Sequence, residues 1–189
     1  MAAAGPITLG GIMKKLLLVI MMLPFFASAF TKEGFYTIDS KGWVAKSTPA
    51  GDVFICKECD DLVQVQISYG PEAESDAPFH NADQFVKAFD TPEKKNKFAD
   101  MLIKGGMPTE GYDIKVVKVS DDYLGGNKAI MYSAIVKIPG DNVSRETTLV
   151  TMHKNRIVKF SANFYENNLD EKSAIALESL SKSLVFTKG

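Results

Sequence analysis

The chain has 189 residues, 46% of them hydrophobic, 10% aromatic and 24% charged, which excludes a disordered or collagenous chain and suits one globular domain. A formal net charge of −1 argues against nucleic acid as a partner, since phosphate binding needs a concentrated basic surface. Beyond residue 30 no stretch is long and apolar enough to span a bilayer.

The first element is a leader. Met13-Lys14-Lys15 supplies a positive start, residues 16–26 are an apolar run of eleven, and Ala27-Ser28-Ala29 places small residues where a signal peptidase reads them. That order predicts a secretory signal cleaved after Ala29 and export to the periplasm. Eleven helical residues reach only about 16 Å, roughly half of a bilayer core, so a stable span is not expected. No cysteine follows the small-residue motif, which argues against a lipid anchor. Residues 1–12 fit no part of a signal, and Met13 reads as the start of translation. Cleavage would remove Lys14 and Lys15, leaving 20 basic against 23 acidic residues and a mildly acidic mature domain over 30–189.

Strands broken by turns come next. Residues 35–38 and 43–46 flank Asp39-Ser40-Lys41-Gly42, and Val53-Phe54-Ile55 starts a strand after Pro49-Ala50-Gly51. Residues 62–69 alternate apolar and polar, the period-2 signature of a strand with one buried face. Two prolines and three acids make 70–80 a surface loop. Asn81 caps a helix over 81–89 with Phe85, Val86 and Phe89 on its stripe. Thr91-Pro92-Glu93 opens a second helix, with Phe98, Met101 and Leu102 inward, that Gly105-Gly106 ends.

Residues 112–119, 127–138, 146–153 and 157–164 read as four strands joined by short links at 121–126, 139–144 and Lys154-Asn155-Arg156, an antiparallel meander. Leu169-Asp170-Glu171 starts a last helix with Ile175, Leu177, Leu180 and Leu184 as its apolar stripe. The expected class is α+β, an antiparallel sheet with a C-terminal meander and helices packed on one face.

This order resembles the PsbP-like fold family. The likeness is carried by the tryptophan strand Gly42-Trp43-Val44, the helical insert after it and the meander turn His153-Lys154-Asn155-Arg156. It extends to the closing helix Leu177-Glu178-Ser179-Leu180-Ser181-Lys182-Ser183-Leu184 with its tail Val185-Phe186. The resemblance implies a non-catalytic binding or assembly role and transfers no site residues, since fold alone does not fix function.

Cys56-Lys57-Glu58-Cys59 is the one motif able to carry a reaction. A redox centre needs a thiolate of lowered pKa, typically at a helix N-terminus. Here the motif lies between two strands, and Glu58, Asp60 and Asp61 would raise a thiol pKa. A structural disulfide across the hairpin, formed in an oxidising compartment, is the leading expectation; a redox pair, free thiols or a metal site are its alternatives. A zinc site would need His80 or His153 beside the cysteines, but the spacing matches no finger. The acid pairs Asp60-Asp61 and Asp121-Asp122 read as solvated turn residues rather than a glycosidase dyad. No Gly-x-Ser-x-Gly elbow occurs, Gly125-Gly126-Asn127 reads as a hairpin turn, and Asn142-Val143-Ser144 matches a glycosylation acceptor of little meaning in a bacterial periplasm.

The function expected is therefore non-catalytic periplasmic binding or assembly, with no cofactor and no metal. Contact surfaces are expected in three loops at the sheet ends: Asp76, Phe79 and His80 in 70–80, Met107 and Tyr112 in 105–112, and Asp121, Asp122 and Tyr123 in 121–126. Two of these loops are acidic, which points to a protein partner with a basic patch, or a small ligand, and not to nucleic acid. The alternatives are an immunity protein against a toxin delivered to the periplasm, and a thiol–disulfide oxidoreductase using Cys56 and Cys59.

Overall fold

The structure, a computed structural model, describes residues 29–59, 62–106, 113–137, 143–165 and 169–188. The expected leader, with Met13, lies outside them apart from Ala29.

Alternation in the sequence becomes two apolar faces on one sheet. In β5 (Gln64–Glu72), Val65 and Ile67 are fully buried, while Gln64 and Gln66 point the other way and are half-buried. The register places Val65 beside Phe54 of β4 (Gly51–Cys56) and Ala162 of β9 (Arg156–Tyr165), and Ile67 beside Phe160. These residues, with Trp43 of β3 (Trp43–Thr48) and Val158, form one core. A second core lies on the opposite face: Val150 and Met152 of β8 (Ser144–His153) with Ile130, Tyr132 and Ala134 of β7 (Asn127–Lys137). With β6 (Asp113–Leu124) at one edge, the seven strands run β3-β4-β5-β9-β8-β7-β6, all antiparallel. The meander expected from the second half is β6 to β9.

Helices cover both faces, which corrects the expectation of one covered face. The physical reason is that β8 and β9 carry apolar residues on opposite sides, and each side must be kept from water. Helices α1 (Ala82–Ala88) and α2 (Pro92–Gly106) close the second core over β6, β7 and β8, through Phe85, Phe98, Ala99 and Ile103. Helix α3 (Glu171–Ser183) closes the first through Leu180, followed by Leu184 at its C-cap. Beside α3 lies a small sheet that sequence periodicity did not reveal: β1 (Ala29–Lys32) and β10 (Val185–Phe186), each antiparallel to β2 (Tyr36–Asp39).

Two expected stripe residues face water. Met101 is 59% exposed and Ile175 56%. At 100° per residue, Met101 lies about 130° from the centre of the stripe formed by 98, 99, 102 and 103, and Ile175 lies opposite Leu177 and Leu180. The expected helix starts hold: the Asn81 side chain accepts from the Gln84 backbone N–H at 3.0 Å, and that of Asp170 from Ser173 at 2.6 Å.

The link expected at 121–126 is shorter than sequence suggests. Strand β6 continues through Leu124, and Gly125-Gly126 alone make the turn, at φ +58° and +85°. A side chain at Gly125 would also collide with Phe186 and Leu184, because the turn packs against the chain's last strand.

Candidate functional site

Cys56 and Cys59 are joined, as expected, in a disulfide with a sulfur–sulfur distance of 2.04 Å. The bridge closes the segment leaving β4: the Cys56 N–H donates to the Val63 carbonyl at 3.0 Å and the Lys57 N–H to that of Gly42 at 2.9 Å. Both cysteines are half-buried against the first core, and they border a cavity of about 290 Å³ between Trp43 and the Ile175 side of α3. The bridge stands at a strand end, without the helix N-terminus that activates a redox thiol.

The two histidines meet at the other end of the sheet. His80 and His153 line one shallow cavity of about 350 Å³ together with Asp83 and Lys154. The His153 ring stacks on Phe186 at 4.4 Å and meets Phe35 edge-on at 5.2 Å. Burial, with the neighbouring Lys154 charge as a lesser cause, holds its pKa below the ordinary imidazole value, and its Nε2 is buried without a hydrogen-bond partner. Ile55, Gln64, Asn163 and Glu146 form one cross-strand row near the disulfide, and His153 lies seven residues further along β8 than Glu146, about 23 Å. The cysteines and histidines therefore cannot share a metal. Among the described residues no group of three or more His, Cys, Asp or Glu side chains is placed to hold one.

The expected contact residues divide. Phe79 packs on Phe85 and Phe89, with ring centroids 5.3 and 6.2 Å apart, so it belongs to the second core. The His80 N–H donates to Gln84 Oε1 at 2.8 Å, and Asp76 is exposed. Asp121, Asp122 and Tyr123 sit on β6 instead of in a loop, opposite Ile130, Ala129 and Lys128. Asp121 pairs with Lys95 of α2 at 2.7 Å; Tyr123 is 65% exposed. Lys128, opposite Tyr123, pairs with Asp83 of α1 at 2.7 Å, and the Ala73 N–H donates to the Asn155 carbonyl at 2.7 Å, which brings the β6 terminus and the 70–80 loop to the same sheet end. Met107 and Tyr112 lie outside the described residues.

One feature on the second face was not picked out from sequence. Helices α1 and α2 cover β6, β7 and β8, and the face beside them, on β5 and β9, carries Gln64, Gln66, Ser68, Lys159, Ser161 and Asn163. A groove of about 460 Å³ runs there, with Leu102 and Ile103 of α2 as one wall. At its side Glu146, only 9% exposed, receives Tyr132 Oη at 3.1 Å and Thr148 Oγ1 at 2.7 Å, both on Oε1. Burial, then the Glu146 charge, raises the Tyr132 pKa, so this hydroxyl stays a donor.

These features define an α+β protein of PsbP-like fold, an antiparallel sheet flanked, among the described residues, by three helices. Among solved structures the chain is similar to cyanobacterial PsbP (CyanoP) from Synechocystis sp. PCC 6803, with a TM-score of 0.50 and 17% identity over 84% of this chain and 91% of that one. It is similar to LpqN, described as involved in cell envelope biogenesis of Mycobacterium tuberculosis, with a TM-score of 0.51 and 13% identity over 83% and 87% of the two chains. A Bacteroides thetaiotaomicron protein gives a TM-score of 0.50 at 12% identity; 85% of this chain covers 48% of that one. No protein-family model and no curated sequence matches. At these identities the likeness is one of fold. No helix among the described residues is long and apolar enough to cross a membrane.

Proposed function

We propose that this chain is a non-catalytic binding or assembly protein of the periplasm, acting through the sheet end that joins the 70–80 loop to the terminus of β6. The observation that carries it is Tyr123, 65% exposed on an edge strand with exposed Asp122 beside it and exposed Glu74 and Asp76 in the neighbouring loop. Exposed tyrosines offer large contact area at low conformational cost and are enriched in binding hot spots. Surrounding acids favour a protein partner with a basic patch by speeding encounter. An immunity role against a basic periplasmic toxin is a narrower form of the same reading.

The expected leader supports the location. The leader would be cut just before Phe30, whose ring packs edge-on against Phe54 at 5.2 Å, so the new N-terminus would begin inside β1. The test is affinity capture from a periplasmic extract with the wild-type protein and with the Asp122→Lys and Tyr123→Ala variants. A partner held by the wild type and lost by both variants is expected. No specific partner, or equal retention by the variants, would remove the proposal.

A further inference from the structure

The groove beside α2 holds two opposite charges that do not neutralise each other. Glu146, nine-tenths buried, takes hydrogen bonds from Tyr132 and Thr148 but has no cation within ion-pair distance among the described residues. Lys159 lines the same groove and likewise forms no ion pair among them. Glu146 pairs in register with Asn163, and Lys159 lies four residues back along β9, so the two stand about 13 Å apart along the strand. A carboxylate this buried is costly without a compensating cation. Keeping it 13 Å from the nearest lysine of the groove is what a ligand with charges at both ends would require.

We infer that this groove binds a short zwitterionic peptide, its amine at Glu146 and its carboxylate at Lys159. An extended tripeptide separates those charges by about 10 Å, which side chains reaching inward from positions 13 Å apart can span. The volume, about 460 Å³, lies in the range of small-ligand sites. Gln66 and Ser161 between the charges, and Asn163 and Ser68 beside them, offer donors and acceptors to peptide groups, while Leu102 and Ile103 supply an apolar wall for a small side chain. A neutral sugar would leave both charges uncompensated, and a simple anion would leave Glu146 so. This surface is separate from the β6 terminus, and the inference stands without the proposed protein partner.

The test uses tri-alanine as probe, titrated into the isotope-labelled full-length chain and followed by NMR. Shifts are expected at residues 66, 68, 102, 103, 159 and 161. N-acetylation or C-terminal amidation of the probe should each weaken binding about tenfold or more, the usual loss for a charge-assisted hydrogen bond. Glu146→Gln should abolish the penalty for N-acetylation alone, and Lys159→Gln the penalty for amidation alone, which a merely misfolded variant could not mimic. Absence of binding at millimolar tri-alanine, or equal binding of the capped peptides, would overturn the inference.

Discussion

Tyr36 Oη donates to Asp52 Oδ2 at 2.7 Å, and neither residue is exposed to solvent. Tyr36 belongs to the small sheet and Asp52 to the large one, so this bond ties β2 across the first core to β4. Two further groups reach Asp52: Ser47 Oγ donates to Oδ1 at 2.5 Å, and Lys32 Nζ of β1 lies 3.6 Å away. Burial, ahead of the bond to Asp52 and that residue's charge, drives the Tyr36 pKa far above its ordinary value.

Breaking this network from its two sides should cost different amounts. Tyr36→Phe removes one donor and leaves Asp52 with Ser47 and Lys32, for an expected loss of about 1–3 kcal/mol. Asp52→Ala strands the buried Tyr36 hydroxyl and opens space in a closed core, for about 2–4 kcal/mol. Urea unfolding of both variants measures the difference; equal losses would mean that Asp52 does not organise the network.

His153 predicts a pH dependence. Its folded-state pKa is depressed by burial, so the unfolded chain binds the proton more readily. Stability is then complete above the unfolded value of about 6.5 and falls as pH drops below it, levelling off once pH is under the folded value. The ring packs on Phe35 and Phe186 beside the like-charged Lys154, and Asp83, which lines the same cavity, is already paired with Lys128. His153→Phe keeps an aromatic ring between Phe35 and Phe186 and removes the titration. Thermal melts at pH 7.5 and pH 5 should show a smaller fall for this variant than for the wild type. An identical fall would place the pH dependence elsewhere.

What was legible in the sequence is what depends on neighbours along the chain. The 62–69 alternation became β5 because Val65 and Ile67 need burial and their neighbours do not. Asn81 and Asp170 announced their helices because a cap bonds only three residues onward. Strands β1 and β10 were not legible: of four and two residues, they are defined by pairing with β2, from which β10 is nearly 150 positions away. The groove was hidden for the same reason. Gln66, Ser68, Lys159 and Ser161 each looked like an ordinary solvent-facing strand residue, and β5 meets β9 only across more than 80 intervening residues. Asp121 to Tyr123 looked like a loop because acids suit turns, but on an edge strand they need no burial either.

The disulfide gives the last prediction, and it separates the binding reading from the oxidoreductase alternative. A bridge closing so short a loop contributes about 2 kcal/mol in the chain-entropy model. Replacing both cysteines by alanine should therefore lower stability by that amount or less, leave the fold intact and leave partner capture unchanged. Both residues pack against the first core and are half-buried, which limits the access an attacking thiol needs. Equilibration with thiol buffers of known potential measures this, and the bridge is expected to stay oxidised down to about −300 mV, beneath the range of disulfide-exchange catalysts. Reduction at about −200 mV or above, together with a thiol that reacts rapidly at neutral pH, would instead assign Cys56 and Cys59 a catalytic role.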